Sequence, residues 1–518
     1  MDINLNPIEL SLFSNRISAV CEEMGAVLQR AAFSPNIRDR LDFSCAVFDA
    51  QGGLCAQAAH IPVHLGSMAF AMRDIIKQID WQPGDMVVVN DPYLGGTHLP
   101  DVTVIAPVFV ADQLQGFVAN RAHHADIGGQ TPGSMPISRS LEEEGMILAP
   151  QKLLTAGQLN VSLMEGILAQ TRNRQSSRGD FTAQISANRT GVVRLTDLID
   201  RHGHAAYQKL LLALNEYAQR LAQGVIAAIP DGEYRFTDYM DDDGLGNRDL
   251  AIALTLTIRE EQVIADFTGT AAQTTGNINC PLSVVAAAVY YVFRCLMPDQ
   301  TPACDGSFRA IELRVPVGSL LNAQRPAAVA AGNVETSTRI VDVVMGALAQ
   351  AIPNAIPAAS HGSMNNLAMG GTWQGQHWDY YETIAGGMGA GPHSPGLSGV
   401  QTHMTNTRNT PVEVLERHYP VRVTQYALRQ GSGGQGQQRG GAGLIREFEF
   451  LDDASVTLLT ERRTRRPWGL AGGEAALAGV NTLNGEILPP KVTCQVKAGD
   501  RLRIETPGGG GWGVAREQ

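Results

Sequence analysis

Positive charge is in short supply in this chain. Lys and Arg number 40 against 51 Asp and Glu over 518 residues, a formal net charge of −11. That balance does not neutralise a phosphate backbone or an anionic bilayer, so nucleic acid and membrane are poor fits as partners. Long apolar runs are missing too, none reaching the ~18 uninterrupted residues that span a bilayer. The opening MDINLNPIEL has no cationic segment followed by an apolar one, which argues against a signal peptide. The seven cysteines, at 21, 45, 55, 280, 295, 304 and 494, include no CxxC pair. They read as reduced, mostly buried thiols, and the expected location is cytoplasmic. Also absent are the GxxxxGK[ST] phosphate loop, the G-x-S-x-G nucleophile elbow and HExxH.

What is present is a core-forming composition, 44% hydrophobic and 18% charged. Glycine is abundant at 55 residues, which predicts tight turns and close backbone approaches. Helical spacing runs over 7–32, with Ile8, Leu12, Ile17, Val20, Met24 and Leu28 on one face. Strands and turn residues follow: a hairpin over 43–48 and 54–58, a helix over 64–79, a strand over 86–89 and a second hairpin over 102–119. Residues 140–230 read as helical. Strands return at 234–240, 250–258 and 262–267, and helices at 282–293 and 338–351. Short strands at 421–428, 444–450 and 455–459 lie in a Gly-rich stretch, and 508–511 reads as a turn or flexible end. No fixed-period repeat or linker appears. The expected fold is α+β: one interwoven mixed body over 1–518, with an N-terminal region of about 1–140 and a strand-rich, Gly-rich C-terminal region of about 361–518.

Histidines and carboxylates gather in the N-terminal region. His98, His123 and His124 fall close together, with Asp101 three residues after His98 and Asp126 three after His123. Asp91 ends a predicted strand and Asp42 precedes a hairpin. Imidazoles and carboxylates at strand ends suit a divalent ion such as Zn²⁺, and Mn²⁺ or Fe²⁺ accept the same donors. The same residues also suit loop caps and carbonyl-bound histidines, and both readings stay open on spacing alone. The glycine-rich 432–443 segment reads as a structural loop. The basic run Arg462-Arg463-Thr-Arg465-Arg466 reads either as a solvated turn or as an anion or partner contact.

Several motifs carry a resemblance. Asn90-Asp-Pro-Tyr-Leu-Gly-Gly-Thr-His-Leu-Pro-Asp101 and His123-His-Ala-Asp-Ile-Gly-Gly129 are similar to the metal-region motifs of the hydantoinase B/oxoprolinase family. The likeness continues through Gly332-Asn-Val-Glu-Thr336, His403-Met-Thr-Asn-Thr407, Asn409-Thr-Pro-Val-Glu413, Gly431-Ser-Gly-Gly434, Pro467-Trp-Gly-Leu-Ala-Gly-Gly473 and Thr506-Pro-Gly-Gly-Gly-Gly511. It therefore covers essentially the whole chain, with the motifs in order.

The resemblance implies the metal-bearing, B-type component of an ATP-dependent hydrolase that opens a cyclic amide such as hydantoin, oxoproline or another lactam. ATP and Mg²⁺ would belong to a hydantoinase A-type ATPase subunit, in a hetero-oligomer with two copies of each. The family's metal positions map onto Asp42, His98, Asp101 and His123, and Asp91, His124 and Asp126 become candidates for proton transfer. Two alternatives remain at this stage: a component of an acetone-type ATP-dependent carboxylase, and a non-catalytic scaffold for the A-type ATPase. The chain is too short to contain the fused A-type half of eukaryotic oxoprolinases and shorter than the carboxylase subunits, which favours the hydrolytic branch.

Overall fold

The computed structural model describes residues 6–64 and 66–515. The chain opens with the Pro7–Ala31 helix, started by Asn6, whose side chain accepts from Ile8 N at 3.0 Å, and by Pro7 at the first turn. Its buried stripe, Phe13, Ile17, Val20, Met24 and Leu28, repeats every three or four residues. Strands β1 (Phe43–Asp49), β2 (Leu54–Ala59), β3 (Met86–Val89), β4 (Asp101–Val110), β5 (Gln113–His123), β6 (Gln151–Thr155) and β7 (Gln158–Leu159) build a seven-stranded sheet in the order β2-β1-β5-β4-β3-β6-β7. The β6–β7 hairpin interrupts a stretch expected to be helical, which otherwise forms the helices Val161–Leu168, Arg174–His202 and His204–Ile226. Alternate residues of β4 face opposite cores. Val102, Val104, Ala106 and Val108 pack with the Pro7–Ala31 and Arg174–His202 helices, while Ile105 meets Met68, Met72 and Trp81. Both faces are apolar because both are covered.

A second sheet holds β8 (Gly232–Asp242), β9 (Arg248–Arg259), β10 (Gln262–Asp266) and β11 (Ile311–Arg314), with β10 and β11 parallel. The Leu282–Leu296 and Ser337–Ala351 helices share its core. Two further sheets enclose Leu367, Phe448, Leu458 and Ile504. One joins Gln376–Glu382, Asn366–Trp373, Ala454–Leu459 and Lys491–Val496, and the other joins Val421–Arg429, Gly443–Phe450, Arg501–Glu505, Val480–Leu483 and Glu486–Ile487. The α+β architecture is as expected. Among the described residues no helix is long and apolar enough to cross a membrane. All seven cysteines are free and five are buried; Cys295 is exposed and Cys494 half-buried.

Two readings left open by the sequence are narrowed in the C-terminal region. The 508–511 tail is not a flexible end but is buried against other glycine segments. Gly509 N donates to Gly441 O and Gly434 N to Gly509 O, each at 2.9 Å. A Cβ on Gly440 would stand 1.8 Å from Gly509 O, so backbone packs directly on backbone. The basic run is solvated only in part, with Thr464 and Arg466 exposed. Arg462 is buried and paired with Asp238 at 2.8 Å and Asp342 at 2.5 Å, and Arg465 pairs with Asp249 at 2.7 Å. Charge density in a sequence does not reveal that the opposite charges arrive from other elements.

Candidate metal centre

Asp101 opens β4 and His123 closes β5, and the antiparallel register pairs them directly across the ladder. The hairpin thus turns a long sequence separation into contact. His98 stands in the turn just before, where its carbonyl accepts from Asp101 N at 3.1 Å. Asp42 immediately precedes β1, and its carbonyl accepts from His123 N at 3.0 Å. Three neighbouring strands therefore deliver Asp42, His123 and Asp101 to one end of the sheet. One ligand atom each from His98, Asp101 and His123 lies within 4.8 Å of the others, and all three residues are buried. The Asp42 carboxylate falls outside that group, 3.7 Å from the Arg40 guanidinium. Burial pushes its carboxyl upward, against the pull of Arg40 and with the help of Asp101.

The hydrogen bonding orients each imidazole. His98 Nδ1 donates to Ala330 O at 3.3 Å, which turns Nε2 toward Asp101 Oδ2, 3.4 Å away. His123 Nδ1 lies 3.0 Å from His124 O and 3.2 Å from Asn36 Nδ2, which turns its Nε2 toward the same cluster. His64, on the Pro62–His64 turn, bonds Ser44 Oγ through Nδ1 at 3.0 Å and places Nε2 3.4 Å from Asp101 Oδ2. Asp101 Oδ2 also accepts from the Thr97 hydroxyl and, at 3.4 Å, from Asn333 Nδ2.

What remains is a set of orphans: Nε2 of His64, His98 and His123 and Oδ1 of Asp101 are buried without a hydrogen-bond partner. Leaving such groups unpaired costs ~1–3 kcal/mol each, so four of them beside one another call for a ligand. Two imidazole nitrogens and a carboxylate oxygen match Zn²⁺, Mn²⁺ or Fe²⁺. Burial works against an ionised Asp101, yet His98 and His64 hold its carboxyl well below the usual range. His98 is raised, since Asp101 outweighs burial. His123 is pushed well down by burial and by His98, which keeps it a neutral donor. Tyr381 stacks on its ring at 4.8 Å between centroids, with Arg40 over the tyrosine at 4.9 Å.

The three candidates for proton transfer are bonded elsewhere. His124 follows His123 at the strand end, where successive side chains point to opposite faces. Its Nε2 meets Gln184 Oε1 at 2.9 Å. Asp126 accepts from Arg172 N at 2.6 Å, Arg172 Nη1 at 2.9 Å, Gly128 N at 2.8 Å and Ser134 Oγ at 3.1 Å, which makes it a loop anchor. Asp91 caps Tyr93 N at 3.0 Å and pairs with Arg325. Sequence reasoning missed His64, Asn333 and Tyr381. The signals at hand were for His64, a lone imidazole in the apolar stretch 61–65, and for Asn333, which lies in the motif Gly332-Asn-Val-Glu-Thr336.

Residues 6–515 match the family model described as Hydantoinase B/oxoprolinase. The chain belongs to that family. It is 42% identical over 545 residues to 5-oxoprolinase 1 of Arabidopsis thaliana, covering 98% of this chain and 42% of that relative. The chain thus spans about two fifths of that relative's length. It is 32% identical over 542 residues to the B-type component of a candidate D-/L-hydantoinase from Pseudomonas sp. strain NS671, covering 99% of this chain and 91% of the other. The solved structure of the ATP-dependent caprolactamase from Pseudomonas jessenii superposes with a TM-score of 0.93 at 26% identity, covering 99% of this chain and 92% of that one.

Proposed function

We propose that this chain is the metal-bearing component of an ATP-dependent hydrolase that opens a cyclic amide, and that it works with an A-type ATPase subunit. The observation that carries the reading is the convergence of unpaired buried donors on His98, Asp101 and His123. The names of the relatives support the substrate class and the division into subunits. A ring amide is resonance-stabilised and resists water. Transfer of a phosphoryl group from ATP to its oxygen on the partner would convert it to an imidate phosphate, which lacks the amide resonance. Water would add at the ring carbon, the C–N bond would break with the amine leaving, and a second water would release phosphate from the acyl phosphate to give the carboxylate. This chain has no phosphate-loop lysine, which agrees with ATP being handled elsewhere.

A divalent ion held by His98, Asp101 and His123 would supply Lewis-acid polarisation and lower the pKa of a water toward ~7. The chain's own residues prepare that place. Ala330 O holds Nδ1 of His98, and His124 O with Asn36 Nδ2 brackets Nδ1 of His123, so each ring presents Nε2 to that place. Thr97 and Asn333 hold Asp101 Oδ2 and leave Oδ1 free. Tyr381 covers the His123 face against solvent, and Asp42 stands ready as a further acidic group beside Arg40.

Elemental analysis tests the ligand set: about one divalent ion per chain is expected in the wild type and under a tenth of that in His98→Ala. Equal content in both would sink the assignment. Calorimetry on the isolated chain should show no ATP binding. Added to an A-type ATPase, the chain should elute with it as a hetero-oligomer of two copies each, and ADP release should depend on a cyclic amide. Separate elution at micromolar concentration would argue against a stable assembly.

A further inference from the structure

A cavity of about 440 Å³ lies apart from the His/Asp cluster but against the turn that carries His64. Its volume falls within the ~300–1,000 Å³ of small-molecule pockets. Pro62 lines it, and Val63 N donates to Met404 O at 3.2 Å, so the His64 turn is bonded to the cavity wall. One side is apolar, formed by Tyr291, Leu296, Met345 and Ile356. The other is a run of hydrogen-bonding side chains, Gln401, Thr402, His403, Thr405 and Asn406. Among the described lining residues none is Asp, Glu, Lys or Arg. Recognition there falls to shape and to neutral hydrogen bonds.

His403 is held firmly in this wall. Its backbone is left-handed, with φ at 59°, a conformation that costs energy and that His and Asn bear better than most residues. Its Nε2 stands 3.3 Å from Asp342 Oδ1, while Asp342 Oδ2 accepts from Arg462 at 2.5 Å. A buried carboxylate fixed by an arginine thus faces the imidazole edge, with no hydrogen bond formed between Nε2 and Oδ1. A polar path runs from the wall toward the cluster. Thr405 Oγ1 is 3.5 Å from Thr407 Oγ1, which is 2.6 Å from Thr383 Oγ1. Gln401 Nε2 and Arg40 Nη2 reach the same Thr383 hydroxyl at 3.3 and 3.4 Å, and Arg40 stands 3.7 Å from Asp42.

We propose that this cavity receives the ring of the cyclic amide before its oxygen is phosphorylated, its methylenes against Tyr291, Leu296, Met345 and Ile356 and its amide edge on His403, Gln401 and Thr405. The proposal rests on the cyclic-amide reading above and adds the pocket that reads the ring. The test is direct binding of hydantoin, ε-caprolactam and 5-oxoproline to the full chain, followed by ligand-observed NMR. Two variants probe the pocket: His403→Asn, which the left-handed backbone accepts, and Thr402→Trp, which fills the space. At least one ring should bind the wild type, and both variants should weaken it about tenfold or more with metal content unchanged. His98→Ala should lose its metal and keep ring binding within about twofold. Binding unaltered in both pocket variants, or lost only with the metal, would overturn the pocket while leaving the proposed function intact. No ring bound by the wild type would overturn it as well. Ring binding that follows the pocket variants while His98→Ala keeps its metal would uphold the pocket and remove the metal assignment.

Discussion

At the scale of single residues, His64 and Glu335 carry the most testable chemistry outside the ligand set. His64 sits between Ser44 Oγ and Asp101 Oδ2, so it would act on a metal held by the proposed ligand set through the carboxylate it faces. Partners of this kind typically change metal affinity by about 10–100-fold. His64→Ala should therefore lose metal to a chelator about tenfold more readily while retaining some binding; an unchanged competition curve would show that the contact is idle. Glu335 is buried, with Oε1 accepting from Met364 N at 2.9 Å and Asn366 Nδ2 at 2.6 Å. Burial, reinforced by Glu461, pushes its carboxyl up to about 8. The unfolded value is ~4.3, so its contribution to stability is complete below that pH and is lost as pH rises through the folded value. The wild-type Tm should accordingly fall between about pH 5 and about pH 9 more steeply than that of Glu335→Gln, which keeps the acceptor oxygen. Parallel Tm profiles would refute the account.

Among the elements, the β4–β5 hairpin and the interlocked glycine segments show two ways in which sequence position becomes structure. In the hairpin, register does the work: the arms Asp101–Val110 and Gln113–His123 differ by one residue, and the shift between Val108 and Phe109 absorbs it, so that Asp101 stands opposite His123. In the glycine segments the missing side chain does it. Gly440→Ala would drive a Cβ into Gly509 O at 1.8 Å and should cost about 3 kcal/mol or more. Gly224→Ala is the opposite case, an exposed helical position with nothing within 4 Å, and should raise stability by ~0.5–1 kcal/mol. Thermal unfolding of the two variants side by side checks both signs.

Across the whole molecule, buried ion pairs join the middle sheet to the C-terminal ones. Arg462 bridges Asp238 on β8 and Asp342 on the Ser337–Ala351 helix, and Lys491 and Arg339 meet Glu461 at 2.6 and 3.2 Å. Asp241 of β8 accepts from the backbone N–H groups of Arg463, Thr464 and Arg465 at 2.6–3.0 Å. Removing one partner of such a network leaves its counter-charges buried and unpaired. Arg462→Leu should destabilise the chain by ~3–5 kcal/mol, and denaturant unfolding should show it. A loss below ~1 kcal/mol would mean that the pairs are solvated in the native state. Because Asp342 also faces His403 at 3.3 Å, the same variant should weaken ring binding in the proposed pocket.

The sequence by itself determined the elements whose information is local. Hydrophobic period places the Pro7–Ala31, Leu282–Leu296 and Ser337–Ala351 helices and the strand Met86–Val89, and the family motifs place His98, Asp101 and His123 within one short stretch. These are legible because side-chain spacing along one element fixes which face is buried. The hairpin Asn366–Trp373 and Gln376–Glu382, dense in Gly and polar residues, carries no such period and is not legible from it. Only the tertiary structure decided the rest. His64, Asn333 and Tyr381 reach the His98–Asp101–His123 cluster from separate elements, and His403 meets Asp342, itself paired with Arg462, only across the fold. The basic run became an internal bridge, and the glycine tail became a packed layer. Each of these depends on a partner distant in the chain, and burial, which gives a charge or a missing side chain its meaning, exists only once those partners have met.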